Sequence, residues 1–147
     1  GYEFQLEQFQ HERLILGIVY VGQAQRILDK ILAYAKMRRS FGKRLIEHQH
    51  LAFTLASLKT DAALLQQFIY HCVDLFMKQK ECTCELAMLK WRSSALVRQV
   101  GDTAMQFFAG RGYMDDPEIA RLFLDSRAAS IAGGTDEVMQ HIITKFL

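Results

Sequence analysis

The sequence predicts an all-α fold, an antiparallel up-and-down bundle of three long helices followed by two shorter ones. Three observations carry this. The 147 residues contain one proline, Pro117, and nine glycines that fall in clusters, so long stretches are free of helix breakers. Apolar residues recur at alternating spacings of four and three over whole segments. The period-2 alternation of a half-buried strand is almost absent.

The first helix is expected from about Glu7 to Met37. One stripe carries Leu14, Ile18, Val21, Leu28, Ile31, Leu32 and Ala35, and a second carries Ile15, Val19, Ile27 and Tyr34. Apolar character on two sides calls for burial on two sides, which an oligomer supplies more readily than a monomer. Gly42, in Arg38-Arg39-Ser40-Phe41-Gly42-Lys43, suits the break that follows, and the two arginines favour the negative end of the helix dipole. The second helix, roughly His48 to Lys80, carries Leu51, Leu55, Leu58, Ala62, Leu65, Ile69, Cys72 and Phe76, a seam of about four heptads. The third, about Cys84 to Phe108, repeats it with Leu86, Leu89, Ser93, Leu96, Val100, Ala104 and Phe107, and stops at Gly110-Arg111-Gly112. Asp116-Pro117 reads as N-cap and first residue of a fourth helix ending near Ala132. Gly133-Gly134 breaks it, and Thr135 caps a last helix through Phe146, with Asp136 and Glu137 in the first turn.

Composition narrows the function. Half the residues are hydrophobic and 23% are charged, as in a folded chain with a sizeable core. A net charge of +2 with mixed signs argues against a nucleic-acid binder. The longest uncharged apolar stretch, Leu14 to Gln25, is too short to span a membrane and holds Gly17, Gly22 and two glutamines. No signal peptide is visible. Cys72, Cys82 and Cys84 show no disulfide-framework spacing and point to a reducing compartment. Cys82-Thr83-Cys84 has no neighbouring ligand at metal spacing, so no metal is assigned.

Four segments are more specific than this. They are Glu12-Arg13-Leu14; Arg38-Arg39-Ser40-Phe41-Gly42-Lys43 with Glu47-His48-Gln49; Gln106-Phe107-Phe108-Ala109-Gly110-Arg111-Gly112-Tyr113; and Gly133-Gly134-Thr135-Asp136-Glu137. In order and spacing, the chain resembles the C-terminal helical domain of the acyl-CoA dehydrogenases over essentially its whole length. The resemblance implies a single domain, residues 1–147, at the C-terminal end of a longer flavoenzyme. It implies FAD as cofactor, an acyl-CoA substrate, and a homo-oligomer, dimer or tetramer, with FAD across the interface. It further implies an electron-transferring flavoprotein as acceptor. The compartment implied is the mitochondrial matrix in a eukaryote and the cytoplasm in a bacterium. The chain alone is expected to be inactive, because the family's β domain grips the flavin ring and its N-terminal helical domain closes the acyl pocket.

By the same resemblance, Arg38 and Ser40 would meet the flavin pyrophosphate, with Phe41 packed near the adenosine. A guanidinium fork suits phosphate, and a small hydroxyl beside a glycine lets backbone come close. Gln49 matches a position near the adenine end. Gln106 and Gly110 match a loop reaching the flavin of the neighbouring subunit, although the family usually has glycine where this chain has Ala109. Thr135 and Glu137 match the final-loop contacts to FAD.

The implied chemistry is α,β-dehydrogenation of a thioester, in which a carboxylate takes the α proton. Many members carry that glutamate immediately before the Gly-Thr of the last loop, where this chain has Gly133. A subgroup including the long-chain and isovaleryl types carries it on the first helix in a Glu-Arg pair, matched here by Glu12 and Arg13. Glu12 is therefore the expected base, and Arg13 a supporting charge. Ala132 stands where many members have an aromatic, which would widen the acyl pocket. Two alternatives stay open: an acyl-CoA oxidase that passes electrons to oxygen, and a non-catalytic helical scaffold that kept the fold.

Overall fold

A computed structural model describes the backbone of residues 2–147 and the side chains from Gln8 onward. It is the expected helical bundle. Helix α1 spans Tyr2–Met37, α2 Gln49–Met77, α3 Thr83–Met114, α4 Pro117–Ala128 and α5 Asp136–Thr144. Gly17 of α1 faces Leu89 of α3, and Tyr34 of α1 stacks on Phe108 of α3 at 4.2 Å. These two helices therefore run parallel, with α2 and α4 returning between them, up-down-up-down.

The heptad seams are the core. On α3, Leu86, Leu89, Ser93, Leu96, Val100, Ala104 and Phe107 are all buried. On α2, Leu55, Leu58, Ala62, Ile69 and Cys72 are buried, with Leu51, Leu65 and Phe76 half-buried. Each large aliphatic side chain so removed from water contributes about 1.5–3 kcal/mol. At Gly17 the α1–α3 crossing is close: a Cβ there would lie 2.6 Å from Leu89 Cγ. A glycine in a helix interior costs about 1 kcal/mol relative to alanine, and the close approach offsets it.

Several boundaries differ from expectation. α1 begins earlier, at Tyr2, and the second stripe divides: Ile27 is buried, while Ile15 and Val19, with Ile18 of the first stripe, face outward. α3 passes Gly110 and ends at Met114, but it is broken at Ala109, whose φ of 50° and ψ of −137° are not helical. α4 stops at Ala128 because Ala129–Gly134 closes into turns. α5 ends at Thr144, not at Phe146.

The near absence of strand signal hid one feature. After α1 the chain makes a minimal hairpin, β1 (Arg39–Ser40) against β2 (Lys43–Arg44), with Phe41 and Gly42 at φ 50° and 79° in the turn. A two-residue turn with positive φ at both centres matches the twist of paired strands. Arg39 Nη2 donates to the Gly42 carbonyl at 2.7 Å, and His48 Nε2 to the Ser40 carbonyl at 3.1 Å.

Caps behave as predicted. Asp116 accepts from the Glu118 and Ile119 amides, and Thr135 Oγ1 accepts from the Val138 amide.

Candidate functional site

Two constellations emerge at opposite ends of the bundle. The first is a cavity of about 570 Å3 where the end of α1 meets the α3 break. Tyr34, stacked on Phe108, and Phe107 give it an aromatic floor. Arg38 and Ser40 line it from the hairpin, and Gln106, Ala109, Gly110 and Arg111 from α3. The structure thus gathers four predicted residues, Arg38, Ser40, Gln106 and Gly110, from positions far apart in sequence. At Gly110 an added Cβ would meet nothing within 4 Å, so backbone is open to a ligand.

Phe41 and Gln49 do not line this cavity. Phe41 is 96% exposed at the hairpin tip, in a left-handed conformation unfavourable for a non-glycine residue. Gln49 is exposed at the first residue of α2. Arg111, which sequence reasoning left unassigned, adds a second guanidinium to the rim and lies over the Tyr34 ring at 5.8 Å. Its place between two glycines of a quoted segment was the available signal.

The second constellation lies at the start of α1. The turn Ala132-Gly133-Gly134-Thr135 comes up against α1, and a Cβ built on Gly133 would sit 2.5 Å from Leu16 Cδ1. Leu16 is one helical turn beyond Glu12, about 6 Å along the axis. Glu12 is exposed and Ala132 is exposed. Arg13 is half-buried, its Nε is buried without a hydrogen-bond partner among the described residues, and its guanidinium lies 5.9 Å from the Phe9 ring centre. Burial lowers the basicity of Arg13, against the opposing pull of Glu12. The Glu137 carboxylate is held below its usual range by its own backbone amide and by the Thr135 hydroxyl.

Sequence reasoning also missed Lys90. It is fully buried on α3 and donates to the Gly134 carbonyl, with Asp136 Oδ1 at 4.0 Å. It stands next to the seam position Leu89, in the largely polar run Lys90-Trp91-Arg92-Ser93-Ser94, and neither its burial nor its partners were legible there.

Glu12 and Met37 stand 25 positions apart on one continuous helix, about 37 Å at 1.5 Å per residue. The two constellations are therefore separate sites along α1.

The cavity's donor set fits the phosphate-bearing part of a dinucleotide. It offers two guanidiniums, a hydroxyl, an amide side chain, open glycine backbone and an aromatic floor. Among the described residues no three His, Cys, Asp or Glu side chains are gathered to hold a metal ion. Among the described residues no helix is long and apolar enough to cross a membrane.

Comparison with known proteins agrees with this geometry. The sequence pattern of the acyl-CoA dehydrogenase C-terminal domain matches residues 1–147. The chain is 32% identical over 135 residues to a subunit of the caffeyl-CoA reductase–Etf complex of Acetobacterium woodii, covering 92% of this chain and 36% of that protein. It is 29% identical to the mitochondrial long-chain specific acyl-CoA dehydrogenase of Sus scrofa, covering 99% of this chain and 34% of that one. The crystal structure of the acyl-CoA dehydrogenase from Geobacillus kaustophilus superposes with a TM-score of 0.95 at 34% identity, over 99% of this chain and 38% of that chain. The chain thus spans little more than a third of the length of these relatives. With the helical bundle superposing on a family structure and the family pattern matching residues 1–147, the chain belongs to the acyl-CoA dehydrogenase family, as its C-terminal helical domain.

Proposed function

We propose that this chain is the C-terminal domain of a FAD-dependent enzyme that removes an α and a β hydrogen from an acyl-CoA thioester, with Glu12 as the base. The observation that carries this reading is the approach of the Gly133 turn to α1 one helical turn from Glu12. The loop position that holds a glutamate in many relatives has no side chain here, and a carboxylate stands close by on α1 instead.

On this reading Glu12 takes the α proton. Its approach to the substrate is along α1, a rigid element that fixes the carboxylate relative to the loop. Arg13 adds a positive charge next to the base. Ala132, with only a methyl group, leaves room beside the loop for a bulky or branched acyl group. Thr135 and Glu137 present a hydroxyl and a carboxylate at the start of α5 toward the flavin side. When bound, FAD supplies the acceptor for the hydride that leaves the β carbon.

Arg38, Ser40, Gln106 and Gly110 then hold the phosphate-bearing half of the cofactor, with Phe41 reaching outward from the hairpin tip and Gln49 nearby at the start of α2. A second copy of the chain completes each site. The Etf complex of the Acetobacterium woodii relative supports an electron-transferring flavoprotein as acceptor.

The test is Glu12→Gln in the flavoenzyme that carries this domain. Turnover should fall at least about a hundredfold with FAD retained, the low end for loss of a general base. Turnover near the parent value would remove Glu12 from the role.

A further inference from the structure

Lys90 is the largest fully buried side chain in the bundle, and it is a cation. Burying a charge is costly unless it is paired and hydrogen-bonded. Here its ammonium reaches out of α3 into the turn between α4 and α5, where it donates to the Gly134 carbonyl and lies 4.0 Å from Asp136. Asp136 in turn accepts from Ser94 Oγ of α3 at 2.8 Å. One turn further along α3, Arg98 donates to Ser130 Oγ at 2.9 Å and comes within 3.8 Å of Asp136. Thus Lys90, Ser94 and Arg98, spaced four apart on one helix face, grip both ends of the Ser130–Asp136 turn.

The turn needs this grip. Gly133 and Gly134 sit at φ 69° and 104°, so no helical hydrogen-bond ladder runs through them. The backbone ties the turn only at its ends: the Ile131 and Ala132 amides donate to the Ala128 carbonyl at 2.9 and 3.0 Å, and the Asp136 amide to the Ser130 carbonyl at 3.2 Å. A neutral donor would satisfy the Gly134 carbonyl; the Lys90 ammonium adds an ion pair at 4.0 Å to the Asp136 carboxylate that Ser94 already holds by a hydrogen bond. Burial holds the Lys90 ammonium below its usual basicity; Asp136 pulls the other way and Arg13 adds to the lowering.

We infer that Lys90 is a positioning residue whose ion-paired ammonium, clamped between the Gly134 carbonyl and Asp136, sets where the Ala132–Thr135 turn stands relative to Glu12. The inference rests on the proposed reading, in which that turn faces the flavin and the acyl group. Lys90 touches neither of them and acts through the turn. Misplacing a reacting group by an ångström costs up to about a hundredfold in rate, so a loosened turn should show in catalysis before it shows in folding.

The test uses Lys90→Met, which keeps volume and loses charge and donor, and Asp136→Asn, which keeps shape and loses charge at a less buried site. Both are made in the flavoenzyme carrying this domain, alone and together. Amide exchange is read at residues 136–139 and, as a control, in the interiors of α1 and α3. Expected are exchange at least about tenfold faster at the turn with the helix interiors unchanged, and kcat reduced at least about tenfold with KM for the acyl thioester nearly constant. The two changes should be strongly non-additive, because they break one network. If Lys90→Met does not fold, Asp136→Asn alone must show the same split. Unchanged turn exchange, or loss of protection shared equally by α1 and α3, would overturn the positioning role and leave Lys90 a core residue. A loosened turn with unchanged kcat, while Glu12→Gln is still inactive, would instead overturn the reading that the turn faces the reaction.

Discussion

Gly133 tests the logic of the proposed site, because the family resemblance would put a glutamate at this position and this backbone resists one. Two independent terms oppose a side chain. The first is conformational: φ is +69°, and a residue with a Cβ in the left-handed region costs about 1–2 kcal/mol. The second is steric: the new Cβ would lie 2.5 Å from Leu16 Cδ1, so the end of the half-buried Leu16 side chain must swing aside. A side chain pushed off its rotamer costs about 0.5–1.5 kcal/mol. Gly133→Ala should therefore destabilise the folded chain by about 1.5–3.5 kcal/mol. At roughly 2–4 °C per kcal/mol for a chain of this size, the thermal midpoint should fall by about 3–14 °C. Pairing it with Leu16→Ala separates the terms. The cavity variant removes the clash and not the φ penalty, so the double variant should lose less than the sum of the two single losses. A Gly133→Ala chain melting within a degree or two of the parent would refute both the backbone conformation and the packing described. In activity terms, moving the base to the loop by Gly133→Glu in a Glu12→Gln background should restore turnover only when Leu16 is also trimmed.

Three further outcomes follow from other parts of the bundle. Burial pushes the Asp116 carboxyl up, but the Ile119 amide and Lys30 together hold it below the usual carboxylate value. Its contribution is present above about pH 4 and disappears as pH falls through the lowered value. Asp116→Ala should remove about 1 kcal/mol near neutrality and flatten the acid limb of a pH–stability curve, whereas an unchanged acid limb would contradict the Lys30 pairing. The Cys72 thiol is pushed up to about 12 by burial, then by Glu85 and Cys82, and burial also raises Cys82 and Cys84. Iodoacetamide at mildly alkaline pH should leave Cys72 unlabelled in the folded chain and label it on unfolding; rapid native labelling, read by mass spectrometry, would be inconsistent with its burial. Ala109 holds φ 50° and ψ −137°, a region that costs a non-glycine residue about 1–3 kcal/mol. Ala109→Gly should raise the thermal midpoint by about 2–4 °C after allowing for glycine's entropy, and a fall would show that no strain is stored there.

The helices and their buried faces were legible in the sequence because they depend on local spacing. The α2 and α3 seams fall on the core, and the Asp116 and Thr135 caps were visible as residue types at boundaries. The hairpin after α1 was not, because its turn uses Phe41 where the usual signal is Asn, Asp or Gly; nothing in a phenylalanine announces positive φ. Half of the cavity was legible only through family resemblance. Arg38 and Gln106 are brought together by the Tyr34–Phe108 stack, a contact that no local pattern encodes. Lys90 shows the limit most plainly. The heptad spacing leaves its position off the α3 seam, and the carbonyl that receives it belongs to a turn 44 residues away.

The separation of the two constellations bears on assembly. On the proposed reading, both ends of α1 face flavin dinucleotides: the Glu12 and Gly133 end faces the reacting ring, and the Arg38 and Gln106 end faces the phosphates. The helix between them measures about 37 Å. On that reading each chain serves two cofactor molecules, one at each end of α1, and each cofactor is shared between two copies. The outward faces fit this arrangement. Ile15, Ile18 and Val19 lie exposed on the α1 turns next to Glu12, and Phe41 stands at the hairpin tip beside the cavity with nothing of its own chain covering it. Loss of Arg38 should then weaken cofactor retention in a neighbouring copy while leaving proton abstraction by Glu12 in its own chain intact. Mixed oligomers of Arg38→Ala and Glu12→Gln chains should accordingly regain activity that neither homo-oligomer has, since one class of mixed site draws both a sound base and a sound nucleotide cavity. Mixed assemblies as inactive as the two parents would show that both ends act within a single chain and would undo the two-copy geometry.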